Sequence, residues 1–342
     1  MKRLMTTLFI LVALMVAGGA QADDDASAAA PSALDDAILL YWLTDYDAAL
    51  DALSDIIDAG DEEADALAEA YIYRGSIYRI RRDFDLADDD KAQAFDLLPD
   101  SALAYAFRAR LHLTRGERDA ADDDIARARE LAPQSAIVWY HSGRMAELNG
   151  DVDAALRDYD RAARLDPDFF PIFFERGNLY ADAGNVLAAR VNYDRAIRLQ
   201  ENFAVAYHNR AMLLFGRGDH EAAFADYAQA ITHAPADPFN YNSRGMAHLA
   251  LMQYDDAIAD FTAAIAQDES FVTAYINRGV AHYQQGNHDI ALGDFTLALT
   301  LQPESAIAYY NRAGVYQALG ENENAVRDLE RAVELGYPVD DA

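Results

Sequence analysis

Apolar and polar residues along this chain follow the 3.6-residue rhythm of amphipathic helices, and the rhythm itself returns every 34 residues from Ala68 to Val339. Residues 272–305 show one unit of it. Tyr275, Gly279 and His282 fall at i, i+4 and i+7 and share one helix face, with Ile276, Val280 and Tyr283 as a second stripe beside it. Gly286 offers the permissive backbone that ends helices, and Asn287 is placed to cap the next one. The second helix carries Ala291, Phe295 and Ala298 on one stripe and stops before Pro303. Each unit is therefore predicted to be two antiparallel helices of about three to four turns. Neither helix can bury its stripes alone, so neighbouring units must supply the missing wall.

The register holds through eight copies. A small residue recurs in the first helix at Gly75, Ala109, Gly143, Gly177, Ala211, Gly245, Gly279 and Ala313, each preceded four residues earlier by an aromatic such as Tyr71, Trp139 or Tyr309. In the second helix every copy has two alanines seven residues apart, from Ala87/Ala94 to Ala325/Ala332, so helix backbones are predicted to approach closely there. On these positions and this period the chain resembles the tetratricopeptide repeat family. The resemblance implies an all-α fold, a right-handed helical solenoid of 34-residue helix-turn-helix repeats. It also implies a concave groove lined by the first helices and the binding of extended or helical protein segments rather than chemistry.

Either side of the eight repeats (68–339) the pattern changes. Lys2 and Arg3, the apolar run 4–16 and Ala20-Gln21-Ala22 read as a signal peptide over 1–22, so export to a periplasm or the exterior is expected. Residues 23–32 read as an acidic, disordered leader, and 33–67 as a degenerate N-terminal helix pair that caps the stack. Its spacing to the first regular copy is four residues too long, which an insertion at Gly60-Asp61-Glu62-Glu63 explains. At the other end, only a short tail (340–342) follows the last repeat. That last helix therefore exposes Leu329 and Val333, either for the chain's own end to cover or as a surface for homo-oligomer formation.

Composition narrows the function. The net charge is −30, with 58 acidic residues against 28 basic ones, and such a surface repels nucleic acid and anionic membranes. No cysteine is present, so neither disulfides nor thiol nucleophiles contribute. No phosphate loop, His-Glu-x-x-His or Gly-x-Ser-x-Gly occurs, so no cofactor, no metal and no enzyme activity are expected. The runs Asp88-Asp89-Asp90 and Asp122-Asp123-Asp124 lie inside second helices, where successive carboxylates diverge rather than converge on a cation. An Arg before the small first-helix residue and an Asp in the second helix recur in nearly every unit, which predicts a ladder of structural ion pairs such as Arg278 with Asp294.

The resemblance places the groove lining one, five and eight residues after each first-helix aromatic. Those positions carry Arg79, Arg110, Tyr140 and Arg144 toward the N-terminal end. They then carry Phe174 and Asn178; His208, Met212 and Phe215; Asn242, Met246 and Leu249; Ile276 and Tyr283; and Tyr310. An arginine-bearing end and an apolar, methionine-containing middle suit a peptide or protein segment that is apolar or amphipathic, with an acidic group at the arginine end. The best-known family mode clamps a terminal carboxylate with lysines and asparagines. Here Asn209, Asn277 and Asn311 are present but no groove lysine is, so that mode is not expected. The competing expectation is a self-assembling structural protein.

Overall fold

The computed structural model describes residues 31–338; the signal peptide, most of the acidic leader and the 340–342 tail expected from the sequence lie outside the described residues. Within them the chain forms eighteen helices and no strand. A first pair, α1 (Ala33–Trp42) and α2 (Tyr46–Ala59), is followed by α3 (Ala64–Arg81) with α4 (Phe84–Leu97), and α5 (Ala102–Thr114) with α6 (Arg118–Leu131). Next come α7 (Ala136–Leu148) with α8 (Val152–Leu165), α9 (Phe170–Asp182) with α10 (Val186–Leu199), and α11 (Ala204–Gly216) with α12 (His220–His233). The last pairs are α13 (Pro238–Ala250) with α14 (Tyr254–Gln267), α15 (Val272–Gln284) with α16 (His288–Leu301), and α17 (Ala306–Leu319) with α18 (Asn322–Glu334). This is an all-α helical-repeat solenoid. It divides into two compact units, one ending at Ile172 and one beginning at Phe173.

Small residues set how closely the paired helices approach. At Gly143, Gly177 and Gly245 an added Cβ would lie 2.7 Å from a ring carbon of Tyr159, Tyr193 and Phe261, respectively. Where the residue sixteen positions on is Ile125 or Leu329 the first helix carries Ala109 or Ala313 instead, whereas Gly75 with Lys91 and Ala211 with Tyr227 depart from this relation between small residue and ring. The paired alanines of the second helices are all buried, as close backbone packing requires.

The predicted ion-pair ladder is present. Arg74–Asp90, Arg108–Asp124, Arg210–Asp226, Arg244–Asp260, Arg278–Asp294 and Arg312–Asp328 each pair a guanidinium with both oxygens of a buried aspartate, at 2.5–3.0 Å. Two repeats depart from the sequence pattern and compensate differently. Where Ser142 replaces the arginine, Arg129 reaches across to Asp158 at 2.5 Å. Where Asn192 replaces the aspartate, it accepts a hydrogen bond from Arg176 at 2.7 Å. Asp90 and Asp124, from the two tri-aspartate runs, are thus committed to arginines, and Asp88 pairs with Arg115 and Lys91.

The turn inside each pair needs a left-handed residue. Gly116, Gly150, Gly184, Gly218, Gly286 and Gly320 supply it, at φ between +72° and +83°, whereas Arg82 and Met252 hold the same position at φ +67° and +59°. One local expectation fails: Asn287 sits at the N-cap of α16, but its side chain donates to Gln285 at 3.0 Å instead of capping. After α18, Tyr337 stacks on Tyr310 of α17 with ring centroids 4.2 Å apart; on α18 itself Leu329 is half-buried, while Val326 and Val333 are exposed.

Candidate functional site

The first helices carry the side chains that face away from their paired second helices. How far those side chains are covered differs between the two units. Beyond Phe173, each second helix packs closely on the next first helix, and successive first helices touch only sparsely. Their outward stripe is accordingly left open. Met212 is 53% exposed, Met246 44% and Tyr310 39%.

The other sequence-predicted positions of this unit form the polar and aromatic frame of that stripe. Phe174 packs edge-on against Phe203 at 4.8 Å. Asn178 accepts hydrogen bonds from the Tyr193 hydroxyl and from Asn209, both at 2.8 Å, and Asn242 accepts one from Asn277 at 2.9 Å. His208 reaches Asn240 in the next first helix, 2.8 Å from Nδ1 to Oδ1. Apart from the Tyr193 bond, which comes from α10, these bonds link neighbouring first helices.

Phe215, Leu249, Ile276 and Tyr283 are more deeply placed than the methionines. Phe215 lies against Phe224 and His220, and Leu249 packs on the Phe261 cluster. Ile276 is buried beside Phe295, and Tyr283 lies 5.3 Å from His288. Their packing partners were not legible from the repeat pattern, because they come from the following helices. The open apolar surface of this unit is therefore narrower than the sequence implies, and Met212 and Met246 are its most accessible members.

Up to Ile172 the arrangement is different. Successive first helices α3, α5 and α7 pack directly on one another, and the equivalent positions turn inward. Tyr140 is buried, and Arg110 is only 9% exposed. The face is covered by Trp42 at the end of α1, whose ring meets Tyr140 at 5.4 Å, Phe169 at 5.1 Å and Tyr73 at 6.0 Å, each edge-to-face. Sequence reasoning assigned Trp42 no role. Its only signal was its place in the apolar run 38–43, which fits a capping helix equally well.

The His141 imidazole lies next to Trp42, and three guanidinium groups, those of Arg79, Arg110 and Arg144, act on it electrostatically. Arg144 is bound by Glu147 at 3.0 Å, and the Tyr159 hydroxyl donates to the same carboxylate at 2.7 Å. Burial, with the like charges of Arg110 and Arg144, lowers the Arg79 pKa to about 10. His141 is fully enclosed with neither ring nitrogen hydrogen-bonded, and burial, reinforced by Arg110, Arg79 and Arg144, holds it well below the usual histidine range. Among the described residues no group of acidic, histidine or cysteine side chains is arranged to hold a metal ion, and no helix is long and apolar enough to cross a membrane.

The sequence profile of the tetratricopeptide repeat family matches residues 108–168, 174–240, 242–306 and 282–340. A search of curated proteins finds no match. Among solved structures, a tetratricopeptide repeat protein from Parabacteroides merdae aligns with TM-score 0.53 and 18% identity, over 69% of this chain and 93% of its own. YrrB, a tetratricopeptide repeat protein described as having an unusual peptide-binding site, aligns with TM-score 0.43 and 22% identity, over 52% of this chain and 92% of its own. The Cut9–Hcn1 hetero-tetramer of the APC/C aligns with TM-score 0.49 and 16% identity, over 89% of this chain and 80% of the matched one.

Proposed function

The chain belongs to the tetratricopeptide repeat family, and on that premise we propose that it is a non-catalytic protein-interaction scaffold whose binding surface is the first-helix face of residues 173–338. The observation that carries this reading is the exposure of Met212 and Met246 at equivalent positions of adjacent first helices, flanked by hydrogen-bonded asparagines. Unbranched, polarizable thioether side chains adapt to varied apolar partners, and the asparagine rungs hold the backbone beneath them still. The ligand that fits is an apolar or amphipathic protein segment that lays alternate or i, i+3/i+4 side chains along the stripe.

We further propose that the chain is exported, with a signal peptide at 1–22, an acidic leader at 23–32, a cap at 33–67, eight repeats over 68–339 and a tail at 340–342. A photo-crosslinking residue placed at position 246 should couple a partner protein from the organism's exported fraction, whereas one at Leu187, on the second-helix face, should not. Coupling from position 187 alone would move the site off the first helices. Coupling of this chain to itself from both positions, with Val326→Glu and Val333→Glu abolishing it, would favour self-assembly instead.

A further inference from the structure

Three arginines of the first unit, Arg110 buried and Arg79 and Arg144 half-buried, present a charge imbalance that the chain itself does not resolve. Arg79 contributes two enclosed nitrogens, Nε and Nη2, that have no hydrogen-bond partner, and neither Arg79 nor Arg110 forms an ion pair with any described carboxylate. Arg144 is different, because Glu147 neutralises it. Two guanidinium charges are therefore left uncompensated in a chain whose net charge is −30, where carboxylates are abundant everywhere else. Burying an unpaired charge costs several kcal/mol, so an arrangement of this kind is stable when a counter-ion completes it. The position is also built rather than accidental: Arg110 and Arg144 stand 34 residues apart on α5 and α7, and Arg79 stands one turn further along α3. Arg79, though neither Arg110 nor Arg144, also borders a small cavity of about 30 Å³ with Ile72, Ser76 and Leu111 on its wall.

We propose that Arg79 and Arg110, with Arg144 beside them, form a binding site for a doubly charged oxyanion beneath Trp42. The two unneutralised guanidinium groups match two negative charges, and their planar N–H forks suit phosphate or paired carboxylate oxygens. The site lies in a different unit from the methionine stripe and does not depend on the stripe's role. It also differs in kind from a surface clamp of lysines and asparagines, because its donors are guanidinium groups on first helices that pack directly on one another.

Trp42 gives a direct readout. The chain has two tryptophans, so Trp139→Phe leaves Trp42 as sole reporter, with its ring 6.4 Å from the His141 ring. In that background, inorganic phosphate and the dipeptide acetyl-Asp-Asp-amide are titrated at constant ionic strength, with sodium chloride alone as control. The expected result is a saturable Trp42 fluorescence change with at least one of the two probes, weakened tenfold or more by Arg110→Gln and by Arg79→Gln. Saturation with phosphate alone identifies a free anion as the source, and saturation with the dipeptide alone identifies acidic protein side chains. Circular dichroism establishes that each variant is folded. Should either fail to fold, phosphate-induced elevation of the wild-type Tm is the second measurement, expected to exceed that from chloride at equal ionic strength. A response that follows ionic strength for all salts alike, or equal responses in the wild type and both variants, overturns the proposal. Retention of the response in Met212→Glu/Met246→Glu separates this site from the scaffold surface.

Discussion

At the residue scale, the repeat pattern in the sequence encodes specific contacts. Gly279 is small because the Phe295 ring stands where its side chain would be, 2.8 Å from an ideal Cβ. Gly279→Ala is expected to cost about 1–3 kcal/mol, measured by urea denaturation, since the ring and helix must separate to admit the methyl group. His141 is the converse case. It occupies the row filled by Tyr73 and Phe107 in the preceding repeats, with its ring 4.4 Å from Phe107, yet it brings two nitrogens that find no partner. His141→Phe should stabilise the fold at neutral pH by about 1–2 kcal/mol. The pH dependence follows from its depressed pKa. Below pH 6.5 the unfolded chain takes up a proton that the folded chain refuses, so wild-type stability falls relative to the variant by about 1.4 kcal/mol per pH unit until the folded-state pKa is reached. Parallel stability curves for the two proteins between pH 7.5 and 5.5 would mean that His141 protonates freely in the folded state.

At the element scale, the helices, their order and the ion-pair ladder were legible in the sequence because each depends on residues within one repeat. What was not legible depends on residues far apart in the chain. Trp42 meets Tyr140 and Phe169 across about a hundred residues, and no periodicity reports such a contact. Asn287 shows the same limit at short range, since a side chain able to cap a helix found Gln285 instead. Two element-scale outcomes are expected. Trp42→Ala should destabilise residues 31–172 by about 3 kcal/mol and increase hydrogen exchange in α3, α5 and α7, while leaving α11 to α18 protected. Met252→Gly, at the turn where six other repeats carry glycine, should raise stability by about 1 kcal/mol, because it relieves a left-handed conformation that side chains disfavour. A loss of stability in the second variant would show that the Met252 side chain makes a contact worth more than the backbone strain.

At the scale of the whole molecule, one repeat sequence produces two kinds of surface. Where first helices pack on one another, their outward positions become a covered, cationic and aromatic interior. Where they are held apart by second helices, the same positions become an open methionine stripe. The repeat pattern alone does not separate these outcomes, since Arg110, Arg144, Met212 and Met246 occupy equivalent places in the 34-residue unit. Binding of protein segments by the open stripe is measured as an affinity. Once a partner has been captured, its binding is measured calorimetrically against the wild type, Met212→Glu/Met246→Glu, and the second-helix control Leu187→Glu/Val191→Glu. Binding is expected to be at least tenfold weaker for the methionine variant and unchanged for the control. Unchanged binding by the methionine variant, with loss in the control, would contradict it.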